Sequence, residues 1–204
     1  MAGYLLPAHK QRTTDKVTRL DQFVPVWEFS EFHEIKIAAP PERVYAAVKS
    51  VQADEIALFN ALTWIRRGGR ELPESILNAG VQKPLLDVAT QSNFIWLADE
   101  APRELVIGTI IAAPPRVARD LTPALFRKRV SHRLTLAAMN FAVHPDGSGG
   151  SIVSTETRVH ANNPASRRAF AVYWRLIYPG SAIIRRMWLR AVERRAMATM
   201  VSLS

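Results

Sequence analysis

The chain has 204 residues, 48% hydrophobic and 22% charged, which are globular values and enough for a sizeable core. It has no cysteine, which excludes disulfides, thiolate catalysis and cysteine-ligated metals. The net charge of +9 is uneven: residues 163–204 hold eight arginines against one acid, a balance of +7, and residues 113–133 hold six basic residues against one acid, a balance of +5. Such asymmetry suits a solvated arginine face, an anionic membrane surface, an anionic ligand or nucleic acid.

Residues 1–22 are polar, mixed in charge and without period, and read as an extension; a single domain is expected over residues 23–204. The start lacks the basic residues and unbroken apolar run of a signal peptide. No run of about 18 apolar residues exists to span a bilayer. A cytoplasmic protein is expected. The first strand is expected over residues 31–38, with His33, Ile35 and Ile37 on one face and Phe32, Glu34 and Lys36 on the other. His33 reads as a strand-surface residue, since no second histidine or carboxylate stands at metal-site spacing.

Pro40-Pro41 opens a helix that carries Val44, Ala47, Val48 and Val51 on one stripe. A second helix is expected from Asp54, its N-cap, to Gly68-Gly69, with Arg66, Arg67 and Arg70 near its end. Residues 71–93 suggest one or two short helical pieces. Two β-rich runs follow, joined by residues 99–102, and read as a hairpin or a wide turn. Residues 113–128 read as a loop with one helical turn.

A long strand is expected over residues 130–144. Its apolar residues change parity between Leu136 and Met139, which suggests a bulge near Ala137-Ala138. Residues 144–150 mark a turn, and the chain returns as a strand. There Val153, Thr155, Thr157 and Val159 share one face; Ser154, Glu156, Arg158 and His160 share the other. Glu156 and Arg158 read as a surface charge ladder with His132 or Arg133. Asn162 or Asn163 caps the last helix, whose apolar residues recur at three- and four-residue steps. Pro179-Gly180 predicts a kink or break in it.

This order resembles the START/Bet v1-like superfamily, also called SRPBCC, and its polyketide-cyclase-like and uncharacterised bacterial members. The residues that carry the resemblance are FHEIKIAAPPERVYAAVKSV at 32–51, STETRVHA at 154–161 and RRAFAVYWRLIYPGSAIIRRMWLR at 167–190. It implies an α+β helix-grip fold, a curved antiparallel sheet wrapped around the long C-terminal helix, with two short helices after the first strand. It also implies a deep apolar cavity between sheet and helix.

Taken from the inward faces, the lining would be Phe59 and Leu62; Phe94, Trp96 and Ile107; Met139, Phe141, Thr155 and Thr157; and Tyr173, Trp174 and Ile177. The competing reading is that these residues only fill a core. The function expected is non-catalytic binding or transport of a small hydrophobic ligand, whether lipid, polyketide-like or aromatic, with no cofactor and no metal.

A cyclase-, aromatase- or hydrolase-like enzyme is the first alternative, with Glu55, His132, Glu156, Arg158, His160 and Tyr173 as its titratable candidates. They form no recognised catalytic motif. The second alternative is a peripheral binder of anionic membranes through Arg185, Arg186, Arg190, Arg194 and Arg195, beside Met187, Trp188, Leu189 and Met200. No specific nucleic-acid motif is present. Residues 170–178 are expected to close the cavity, residues 183–195 to carry the charge, and the kink between them to act as a gate.

Overall fold

A computed structural model describes residues 17–56, 83–112, 121–129 and 134–201. Most of the expected second helix, with Phe59, Leu62, Arg66, Arg67 and Arg70, lies outside the described residues, as do His132 and Arg133. The elements are α1 (Arg19–Phe23), β1 (Phe29–Ile37), α2 (Pro41–Ser50), a 3-10 turn (Ala53–Glu55), α3 (Leu85–Ser92), β2 (Ile95–Glu100), β3 (Glu104–Ala112), α4 (Pro123–Arg129), β4 (Thr135–Pro145), β5 (Ser151–Ala161) and α5 (Pro164–Val201). Among the described residues the strands form one five-stranded antiparallel sheet in the order β1-β5-β4-β3-β2.

The turns follow from their residues. Asp146 Oδ1 accepts from the Ser148 and Gly150 amides at 2.8 and 2.9 Å, which closes the β4–β5 turn. Gly147 and Gly149 sit there at φ of 83° and 92°, where a side chain would be strained. Gln52, not Asp54, precedes the 3-10 turn, and its amide donates to Glu55 Oε1 at 2.8 Å.

Both faces of the sheet are covered. On the inner face Val44, Val48 and Val51, Leu85 and Leu86 of the α3 segment, and Trp188, Leu189 and Val192 of α5 pack with Ile107, Met139, Phe141 and Val153. On the outer face Leu20, Phe23 and Val24 around α1 and Phe126 of α4 pack with Val106, Leu136 and Ala138. The last residues of the expected extension are thus held on the body. β4 is buried at nine successive positions, Thr135 to Val143. This explains the parity change, because a strand covered on both sides takes apolar residues at every position. The expected bulge at Ala137-Ala138 is absent: β4 and β5 pair without a register shift from Thr135↔Ala161 to Pro145↔Ser151. The irregularities lie instead between Trp96 and Ala98 and between Ile110 and Ala112.

α5 is a single helix of 38 residues, not interrupted at Pro179-Gly180. Asn163 Oδ1 accepts from the Ala165 amide at 2.9 Å, and Pro164 fits the first turn. Pro179 is exposed, so its ring adds no clash with the sheet, and the helix tolerates the lost bond to the Arg175 carbonyl. One inward stripe, Phe170, Trp174, Ser181, Arg185, Trp188 and Val192, continues past the proline, which lies on the opposite side of the helix. The later half, expected to carry mainly charge, also anchors the helix in the core. The later half supplies the core residues Trp188, Leu189, Ala191, Val192 and Ala196, whereas Val172, Tyr173 and Leu176 of the earlier half, and Ile183 just past the midpoint, are exposed. Burying a side chain such as Leu189 stabilises by about 1.5–3 kcal/mol, so the later half is the anchor.

Candidate functional site

The strand register lines up two rows of side chains on the inner face. One runs Glu31, Thr157, Met139, Ile107, Trp96; the next runs His33, Thr155, Phe141, Leu105, Asp99. The β3–β4 stretch of each row is apolar, and the β1–β5 end is polar. Glu31 and His33 are both buried, with His33 Nε2 at 2.8 Å from Glu31 Oε1. Ser181 of α5 donates to Glu31 Oε2 at 2.8 Å. His33 is therefore an inner-face residue rather than a surface one, because α5 covers the strand face on which it lies.

Arg185 reaches into the same place. Its guanidinium donates to Thr157 Oγ1 at 2.7 Å, Thr155 Oγ1 at 3.3 Å and Met139 Sδ at 2.9 Å. It stands 5.7 Å from the Trp188 ring, which packs on Phe141 at 5.0 Å. The Trp188 indole Nε1 is buried and has no hydrogen-bond partner among the described residues. Nearly all buried polar groups are paired, so an orphaned indole N–H marks a place for an acceptor.

At the β2 edge Asp99 accepts from Lys49 Nζ at 2.7 Å and from the Tyr45 hydroxyl. Burial raises the Asp99 pKa, but these two bonds outweigh it and hold the carboxylate below its ordinary value. Burial, and then the Asp99 carboxylate, push the Tyr45 hydroxyl well up, so it stays protonated. Lys49 Nζ lies 5.6 Å from the Trp96 ring.

The structure gathers part of the expected lining. Phe94, Trp96, Ile107, Met139 and Phe141 belong to one cluster with Trp188, and Thr155 and Thr157 flank them under Arg185. Trp174 belongs to a separate cluster with Phe29, Phe170 and Val159 near the start of α5. Tyr173 is 40% exposed, its ring 5.5 Å from Phe170, and Ile177 is half-buried.

The titratable candidates are scattered. Glu55 bonds Arg195, with Nε to Oε2 at 3.0 Å. Glu156, Arg158 and His160 lie on the outer face, as their parity requires, but they are buried, not a surface ladder. Arg158 donates to Glu156 Oε1 at 2.8 Å, pairs with Asp21 at 2.7 Å, donates to the Val24 carbonyl at 3.0 Å and stacks on Trp27 at 3.8 Å. It clasps α1 to β5, and that cover is what buries it.

The late basic face is also corrected. Arg185 is turned inward, Arg194 donates to the Glu55 carbonyl and Arg195 to its carboxylate; Arg186 and Arg190 remain exposed, Arg190 beside Glu193 at 2.8 Å. Trp188 and Leu189 are core, so they form no interfacial stripe. Met200 lies where no side chain is described. The inward turn of Arg185 is readable in retrospect, since it stands three and seven residues before Trp188 and Val192. Glu31 is the residue missed: it is two before His33 and so on the same strand face.

The sheet order, its pairing and the long helix across its inner face are those of one known architecture. The fold is helix-grip, of the Bet v1-like kind. Comparison with solved structures finds wide but distant overlaps. Protein MLL2253 from Mesorhizobium loti is 15% identical and has a TM-score of 0.41, covering 84% of this chain and 98% of that one. TTHA0849 from Thermus thermophilus is 14% identical at TM-score 0.35, covering 84% and 99%. Ara h 8.0201 is 10% identical at TM-score 0.28, covering 83% and 98%. The fold assignment stands on strand pairing and packing rather than on overlaps this distant. No protein-family model and no curated protein matches the chain. Among the described residues no helix is long and apolar enough to cross a membrane, and no three potential metal-ligating side chains cluster.

Proposed function

We propose that the protein binds a small apolar molecule, without chemistry, against the inner face of the sheet beside α5. The ligand has an apolar body and one acidic or carbonyl oxygen. The observation that carries this reading is the buried Trp188 indole N–H, without an acceptor among the described residues, beside the Arg185 guanidinium, in a wall that includes Met139, Phe141 and Ile107. Sites for such ligands are mostly apolar, with a few polar groups that fix orientation. The enzymatic alternative has less support. In the Glu31–His33 pair one carboxylate oxygen meets the histidine and the other Ser181, so both are spent within the protein.

Native mass spectrometry of the purified protein should reveal a co-purified apolar molecule. A fluorescent polyene fatty acid should bind more tightly than its methyl ester, and Arg185→Leu should weaken the acid about tenfold while sparing the ester, as expected for one charge-assisted hydrogen bond. Equal binding of acid and ester by both proteins would remove Arg185 from the site. Binding of neither, with nothing co-purified, would remove the ligand reading.

A further inference from the structure

The earlier half of α5 presents the reverse of an ordinary surface helix. Val172 is 70% exposed and Leu176 82%, with Ile183 exposed further along. At about 100° per residue these three fall within about 40° of one another, on the side opposite Phe170 and Trp188. The stripe is about 16 Å long, from the rise of 1.5 Å per residue. Pro179 lies on it and is exposed too. Exposed arginines flank its two ends: Arg168 four residues before Val172 and Arg186 three after Ile183. From residue 163 to residue 192 the sequence has no acid.

Three occupants present themselves, and charge selects among them. A second copy pairing through this stripe would bring arginine against arginine, because a two-fold interface apposes the same patch. Nucleic acid would engage the arginines and leave the apolar stripe wet. An anionic lipid surface takes both, the stripe at the acyl boundary and the guanidiniums at the phosphates.

We propose that the earlier half of α5 docks on an anionic lipid bilayer through Val172, Leu176 and Ile183, with Arg168 and Arg186 contacting lipid phosphates. This surface is distinct from the ligand site, which uses the opposite side of the same helix. It needs no change in the fold, since its residues are already exposed.

The test is co-sedimentation with vesicles of phosphatidylcholine, alone or mixed with phosphatidylglycerol. The wild type should pellet with the mixed vesicles, release as salt is raised, and pellet weakly with the neutral ones. Val172→Asp combined with Leu176→Asp should lower partitioning about tenfold or more, with thermal unfolding unchanged because both positions are solvated. Arg168→Gln with Arg186→Gln should lower it for mixed vesicles only. Pelleting of the Asp variant like the wild type, or no pelleting of the wild type, would overturn the proposal. So would a wild-type dimer that the Asp variant abolishes.

Discussion

Arg158 shows how much one side chain can carry. Its exposure is 1%, yet its guanidinium joins two carboxylates, a carbonyl and an aromatic face. Removing one member of a buried ionic group leaves the others uncompensated. Arg158→Ala should therefore cost about 3–5 kcal/mol in urea unfolding. Arg158→Met with Glu156→Leu should recover much of that loss, because it removes the deeply buried carboxylate along with its partner, while Asp21 is partly solvated and keeps its bonds from Thr18. If the double variant were as unstable as the single, the packing of α1 rather than charge pairing would be the source. The sequence carried the parity of Glu156 and Arg158 but not their burial. Strand alternation reports which face a residue takes, and only the position of α1 reports whether that face is dry. The same limit hid the site: His33 and Arg185 have surface-like neighbours in sequence and sheet-and-helix neighbours in space.

At the scale of the element, α5 tests how far a proline dictates structure. Pro179 lacks the N–H that would meet the Arg175 carbonyl, a defect of up to about 3 kcal/mol in a helix interior. The helix nevertheless continues to Val201, because the inward stripe is packed on both sides of the proline, Trp174 before it and Arg185 and Trp188 after it. The Pro179→Ala variant should thus unfold at a higher temperature and gain slightly in helical circular dichroism. Its exchange of a bound ligand should stay unchanged. A lower melting temperature would mean that the proline shapes a contact needed by the fold. Strands with one clear inward face, β1 and β5, were legible in sequence to within a residue or two. β4 was not, since burial on both faces erases the alternation from which a register is inferred.

For the whole molecule, the sheet is sandwiched between unlike layers. Among the described residues the outer layer is one short helix clasped by Arg158 and a second bearing Phe126. The inner layer is the main core, and α5 crosses it with its later half deep and its earlier half carrying the exposed stripe. Apolar periodicity revealed that α5 had a stripe; it could not reveal that there were two, one inward and one outward, since both repeat at the same spacing. The asymmetry has a dynamic consequence. Local opening needs little energy where few apolar contacts must separate, and amide exchange follows that energy. Backbone amides of residues 188–196 should exchange at least about tenfold more slowly than those of residues 171–183, where Phe170 and Trp174 are the main inward anchors. Hydrogen exchange read by mass spectrometry on overlapping peptides would measure the ratio. Adding anionic vesicles should slow the earlier segment and leave the later one unchanged, because docking protects only amides whose opening would expose the docked face. Uniform protection along α5 without lipid would mean that the earlier half is held as firmly as the core, and the packing difference between its two halves would then have no energetic weight.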